Sequence, residues 1–344
     1  MLLLVSADYR SRIEAWLERL SDSDHREALA SDLAEDLPSG DFRSEGRVNE
    51  ASVLHFEAPK SPEKISRNWI RKKSKKEISK TAFVFSGGGN KGAAQVGMLK
   101  GLLKEGIIPD LIVGCSVGSL NGAAFALNPS ENGIMKLEEL WISLSGDVVF
   151  PKGKFYGAWR FAEKRESVFP ISGLQQIIED YVGIHSFGDL KIPLKVVAAS
   201  VEKGEEVIID EGTLVSALLA SAALPGIFPP IFMDGQHLID GGVLNDAPIS
   251  VAIASGIKNI YLLSCSTVEP QRHNFSRPIE AMLYAFGLSV SSRLRRELGS
   301  LPAEIEVTVI EYPGPYGLDW RDFSQSKKMI DLGEQLVVEY FSNK

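Results

Sequence analysis

Ala82-Phe83-Val84-Phe85-Ser86-Gly87-Gly88-Gly89-Asn90-Lys91-Gly92 opens with an apolar run and closes in glycines. Asp110-Leu111-Ile112-Val113-Gly114-Cys115-Ser116-Val117-Gly118 repeats the arrangement. Apolar runs this short, bounded by turn residues, read as buried strands. The residues behind each one change period. Ala94, Met98 and Leu102 share one face of a helix expected over 91–104, and residues 117–127 read as a helix rich in Gly and Ala. A strand, a glycine turn and a helix, used twice, is the signature of a parallel sheet.

The pattern continues outward. Strands are expected at 194–199, 207–209, 260–264 and 304–310, and helices at 213–222, 278–297 and 326–341. Alternating strands and helices predict an α/β fold, with helices covering both faces of a largely parallel sheet. Residues 1–79 differ. Ile13, Trp16, Leu17 and Leu20 have helical spacing, as do Leu29, Leu33 and Leu37 before the break at Pro38-Ser39-Gly40. Arg71-Lys72-Lys73-Ser74-Lys75-Lys76 follows Trp69 and Ile70. It reads first as a solvated linker. The sharper alternative is a contact with anionic lipid headgroups, where each basic residue contributes about 1 kcal/mol.

The chain has 344 residues, of which 44% are hydrophobic and 24% charged, and its net charge is −8. That balance argues against nucleic acid as a partner, because phosphate binding needs a basic face. The two cysteines, Cys115 and Cys265, form neither a disulfide framework nor a zinc spacing. A cytoplasmic location is therefore expected. No apolar run is long enough to span a bilayer, and Met1–Val5 lacks the form of a secretory signal.

The Ser86–Gly92 loop leaves amide N–H groups uncovered at a helix start, where the dipole is positive. It can hold a phosphate or a developing oxyanion. Gly87-x-Gly89-x-x-Gly92 also matches the dinucleotide fingerprint, but that site needs an acid at the end of the second strand. Here the strand ends Val113-Gly114-Cys115, and Asp110 lies at its start. Gly114-Cys115-Ser116-Val117-Gly118 is instead G-x-S-x-G between a strand and a helix, the setting of a nucleophile elbow. The turn needs small neighbours, exposes the Ser116 Oγ and points the Val117 N–H toward an oxyanion. A serine nucleophile needs a base. The histidines are His25, His55, His185, His237 and His273, and none follows an acid in the way a Ser-Asp-His triad requires. His237 stands three residues before Asp240. In Leu238-Ile239-Asp240-Gly241-Gly242 an apolar strand ends in an acid and two glycines. Alone, that reads first as an Asp-Gly hairpin turn and second as a carboxylate presented by the glycines.

Taken together, Gly87-Gly88-Gly89-Asn90-Lys91-Gly92, Gly114-Cys115-Ser116-Val117-Gly118 and Asp240-Gly241-Gly242 resemble the patatin-like phospholipase family. Ala220-Ser221-Ala222-Ala223-Leu224-Pro225 and Phe228-Pro229-Pro230 resemble the segment leading into that family's aspartate. The resemblance implies a three-layer α/β/α catalytic domain over 80–344 behind a small helical or irregular extension, 1–79. It implies Ser116 as nucleophile, Asp240 as its only catalytic partner, and Gly87, Gly88 and Gly89 as oxyanion-hole donors. Lys91 stands where the family carries a basic residue. Gly92, Gly114, Gly118, Gly241 and Gly242 complete the motifs. The implied substrate is a lipid or acyl ester, cleaved through an acyl-enzyme at a peripheral membrane contact. No metal cluster is read, and the family implies no cofactor. An ordinary Asp is a weak base at neutral pH, so Asp240 is expected to be buried with a raised pKa. Phe150, Phe155, Tyr156, Trp159, Phe161 and Phe169, interleaved with basic residues, are expected to form either a lid over the acyl channel or a loop packed on the core. A non-catalytic lipid-binding or scaffold protein and a nucleotide-binding enzyme using the glycine loop are the alternatives.

Overall fold

A computed structural model describes residues 80–151, 167–265, 275, 278–312, 314, 319 and 321–342. The expected helices and basic run of residues 1–79 lie outside the described residues.

The chain order begins β1 (Thr81–Phe85), a 3-10 turn at Gly89–Gly92, α1 (Ala93–Lys104), β2 (Leu111–Cys115), α2 (Val117–Leu127), α3 (Glu131–Ser143), α4 (Gly146–Val149) and α5 (Ser172–Val182). It continues β3 (Leu194–Ser200), β4 (Glu206–Ile209), α6 (Leu214–Ser221), β5 (Ile231–Met233), β6 (Gln236–Asp240), α7 (Gly242–Asn245) and α8 (Ile249–Ala254). It ends β7 (Asn259–Ser264), α9 (Pro278–Gly299), β8 (Glu306–Glu311) and α10 (Ser326–Ser342).

β3-β2-β1-β7-β8 run parallel in that order, while β4, β5 and β6 add antiparallel pairs at the β3 end. Every residue of β1 and β2 is buried. Side chains alternate between faces along a strand, so two apolar faces mean two covering layers. On one face Phe83, Phe85, Ile112 and Val196 meet residues of α1, α2, α3, α5, α6 and α10. On the other, Ala82, Val84, Val113 and Leu262 meet Ile249, Val251 and Ala252 of α8 and Leu294 of α9. The expected three-layer α/β/α architecture is what folds.

The two longest of the helices that went unforeseen are α3 and α5. In α3, Ser130 caps the start by accepting the Gly133 N–H at 3.2 Å, and Ile134, Leu137 and Trp141 make its buried stripe. In α5, Leu174, Ile178 and Val182 do the same at spacing four. The C-terminal α10 lies backbone to backbone on α1. A Cβ at Gly97 would sit 1.8 Å from the Ile330 carbonyl oxygen, and one at Gly333 would sit 2.0 Å from that of Ala94.

The register of β3 brings two chain ends together. β4 pairs with Val196–Ala199 of β3 continuously along one edge. β2 pairs with Leu194–Val197, ending at Cys115↔Val197, and β6 pairs from Ala198↔Asp240 to Ser200↔Leu238. A strand has two edges, so β2 and β6 must share the second one, meeting head to head between Val197 and Ala198. Their last residues, Cys115 and Asp240, are therefore neighbours. The Asp-Gly hairpin turn lies elsewhere, at Asp234 (φ 50°) and Gly235 (φ 78°) between β5 and β6. Asp240-Gly241-Gly242 instead passes from strand into α7.

Candidate active site

Ser116 follows the last residue of β2 and precedes the first of α2, with φ 53° and ψ −130°. A non-glycine residue holds such a backbone only when its surroundings fix it. Three hydrogen bonds do so. The Ser116 N–H donates to Ser221 Oγ at 2.8 Å, and the Ser116 carbonyl accepts from the Ser119 N–H at 2.9 Å and Oγ at 2.6 Å. Gly118 is required by close approach, since a Cβ there would lie 2.5 Å from the carbonyl oxygens of Phe85 and Ser86.

Asp240 is buried, 3% exposed, and the Ser116 hydroxyl lies near enough to its carboxylate to favour the ionised form. Oδ1 also accepts the Gly242 N–H at 2.8 Å, and the Cys115 thiol lies 3.8 Å from it. Burial pushes the Asp240 pKa up to about 7, helped by the nearby Asp246 charge and opposed by the Ser116, Gly242 and Cys115 donors. Desolvation dominates, as expected for a carboxylate taken out of water. The same burial raises the thiols, Cys115 well above its usual range and Cys265 to about 12, so neither offers a competing thiolate.

The glycine loop needs a correction. Gly87, Gly88 and Gly89 were all expected to offer N–H groups to an oxyanion. The Gly87 N–H is already committed to the Asp246 carbonyl at 3.1 Å. Gly87 lines the site by lacking a side chain, because a Cβ would lie 2.3 Å from Asp246 Oδ1 and 3.3 Å from Ser116 Cβ. The N–H groups of Gly88 (φ 147°) and Gly89 (φ 60°) donate to no acceptor among the described residues. A chain of buried amides holds this loop. Trp141 Nε1 donates to Asn121 Oδ1, Asn121 Nδ2 to Gln95 Oε1, and Gln95 Nε2 to the carbonyls of Ser86 and Leu263, all within 2.8–3.0 Å. Burial holds the Lys91 ammonium below the usual lysine range, against the pull of Cys265, Asp246 and Glu311.

His237 is excluded by strand alternation. Leu238 and Asp240 are buried while His237 is exposed, its Nδ1 2.6 Å from Glu202 Oε1. Phe150 and Phe169, the ends of the expected lid, are core residues that pack on each other and, through Phe150, on Phe228. Phe155, Tyr156, Trp159 and Phe161 lie outside the described residues. Asp246 was not foreseen at all, because nothing in Asn245-Asp246-Ala247-Pro248 marks it as buried. Among the described residues no group of acidic, His or Cys side chains has metal-binding geometry.

A serine in a strained strand-to-helix turn beside a buried carboxylate, in an α/β/α fold, has the geometry of a nucleophile elbow. Residues 83–253 match the model of the patatin-like phospholipase family. This stretch is a patatin-like phospholipase domain. Patatin-like phospholipase domain-containing protein 7 of Rattus norvegicus is 30% identical over 52% of this chain and 13% of its own length. Lysophospholipase NTE1 of Mycosarcoma maydis is 25% identical over 54% and 10%. The chain thus spans a small fraction of these relatives' lengths. The solved structure of VipD from Legionella pneumophila aligns with 76% of this chain and 67% of its own, at TM-score 0.40 and 15% identity.

Proposed function

We propose that the chain is a serine hydrolase of lipid acyl esters, working through Ser116 and Asp240. The observation that carries this reading is the strained Ser116 elbow placed by the β3 seam beside a buried carboxylate, Asp240, whose pKa is pushed up to about 7. A base is most effective when its pKa is near the working pH. Asp240 takes the hydroxyl proton as Oγ bonds to the ester carbonyl carbon. The oxyanion is received by the N–H groups of Gly88 and Gly89 at the start of the 3-10 turn, with Val117 N–H at the start of α2. Each well-placed donor of this kind contributes about 10²–10³ in rate. Collapse expels the alcohol with the proton from Asp240 and leaves an acyl-enzyme. Asp240 then deprotonates water as it attacks the acyl carbon, and collapse breaks the acyl–Oγ bond, returns the proton from Asp240 to Ser116 Oγ and releases the fatty acid.

The match to the family and the lysophospholipase among the relatives support a lipid substrate. The reading has the enzyme meet its substrate as a peripheral protein in the cytoplasm, with residues 80–344 as the catalytic domain. No helix among the described residues is long and apolar enough to cross a membrane. The experiment is fatty-acid release from lysophosphatidylcholine micelles, phosphatidylcholine vesicles and short-chain esters. Release from at least one lipid, absent in Ser116→Ala, supports the reading. Cleavage of short esters alone would move it to a simple esterase, and lipid binding without cleavage of any ester to a scaffold.

A further inference from the structure

The ladder between β2 and β3 breaks at its functional end. The Ile112 N–H donates to the Pro193 carbonyl at 2.9 Å. Parallel ladders advance two residues per bond on each strand, so the same series places the Ser116 N–H opposite the Val197 carbonyl. That bond is not made directly. The Ser221 hydroxyl stands between the two groups, accepting the Ser116 N–H at 2.8 Å and donating to the Val197 carbonyl at 2.6 Å. Ser221 is fully buried at the end of α6, and both its donor and acceptor capacities are used here. The break lies at the seam where β2 gives way to β6. Gly241 packs on the same Val197 carbonyl, where a Cβ would come within 2.4 Å. Two residues beyond Ser221, the Ala223 carbonyl accepts the Asp240 N–H at 3.0 Å.

We propose that Ser221 is a positioning residue for the hydrolase site: its hydroxyl, inserted into the β2–β3 ladder, holds the Ser116 peptide in the elbow conformation while the same segment pins Asp240 through Ala223. The inference rests on the reading of Ser116 as nucleophile and Asp240 as base. Without the hydroxyl, the Ser116 N–H is free to close on Val197, which turns the peptide out of the elbow and moves Oγ away from Asp240. Misplacement of about 1 Å can cost about 10² in rate. Substrate binding, which depends on surfaces beyond the peptide, changes little.

The test compares wild type, Ser221→Ala, Ser221→Thr and Ser116→Ala in ester hydrolysis, with active sites counted by a fluorophosphonate that labels the nucleophile. Ser221→Ala is expected to lose about 10²-fold in kcat per titrated site and a similar factor in labelling rate, with KM within about twofold. Ser221→Thr, which keeps the hydroxyl, is expected to recover most of kcat. Wild-type kcat per titrated site in Ser221→Ala overturns the proposal, including the case where the protein is merely less stable and fewer sites titrate. If Ser221→Thr does not fold, the Ser221→Ala labelling rate decides alone. Turnover by Ser116→Ala at the wild-type rate would overturn the underlying reading and this one with it. A dead Ser116→Ala beside an unimpaired Ser221→Ala would overturn only this one.

Discussion

Replacing Asp240 by Asn should make the protein more stable at pH 8 while abolishing its activity. In the folded chain burial holds the carboxyl protonated to about pH 7, against an ordinary 3.8. Below pH 3.8 the folded and unfolded chains both carry the proton and the group costs nothing. Between 3.8 and 7 the folded chain alone retains it, so stability falls as pH rises. Above 7 the whole cost is present, about 4 kcal/mol at about 1.36 kcal/mol per pH unit. An Asn side chain carries no charge, and its oxygen can still accept the Gly242 N–H, which the Asp240 carboxylate accepts at 2.8 Å. The gain is thus up to about 4 kcal/mol at pH 8, shrinking toward zero near pH 4. Denaturant unfolding of both proteins at pH 8, 6 and 4.5 reads the difference, from which other titrating groups largely cancel. A variant less stable than wild type at pH 8, or a gap independent of pH, would refute the reasoning. Stability given up for a charged group at a working site is a common trade.

The same titration governs rate: kcat/KM should fall tenfold per pH unit below about 7, and a profile flat to pH 4 would contradict a buried Asp240 base. Asp246→Asn keeps the backbone bond to Gly87 and removes a charge that raises Asp240, so the acid limb should move to lower pH; an unmoved limb would show that burial acts alone. Gly87→Ala should cost more than about 10² in kcat, because its Cβ collides with Asp246 and crowds Ser116. Gly89→Ala finds open space and keeps its N–H, so it should cost about 1 kcal/mol for its φ of 60° and leave kcat within about tenfold. Equal losses from the two substitutions would contradict their assigned roles.

The sheet was legible because its central strands are apolar on both faces and are cut off by glycines. α2 falls where the sequence places it, at 117–127, and β1 at 81–85 begins one residue before the apolar run Ala82–Phe85. Ser116 was legible because an elbow needs small residues at fixed offsets. Asp240 was not legible from its own neighbours, which favour a hairpin turn. Only the β3 seam, a long-range pairing of residues 115 and 240 with 197 and 198, brings it to the serine. The error over Gly87 has the same origin. Its N–H is consumed by the Asp246 carbonyl, a contact across more than 150 residues that no local pattern reports. Asp246 and Ser221 escaped assignment because polar residues are normally exposed and a sequence does not mark the ones that become buried.

The central claim is that Ser116 and Asp240 together cleave acyl esters. It is tested most directly by hydrolysis of p-nitrophenyl esters of increasing chain length by wild type, Ser116→Ala and Asp240→Asn. The expected result is wild-type turnover with a preference for longer chains, and loss of that turnover in both variants while each remains folded. Turnover that survives in folded Ser116→Ala would contradict the account.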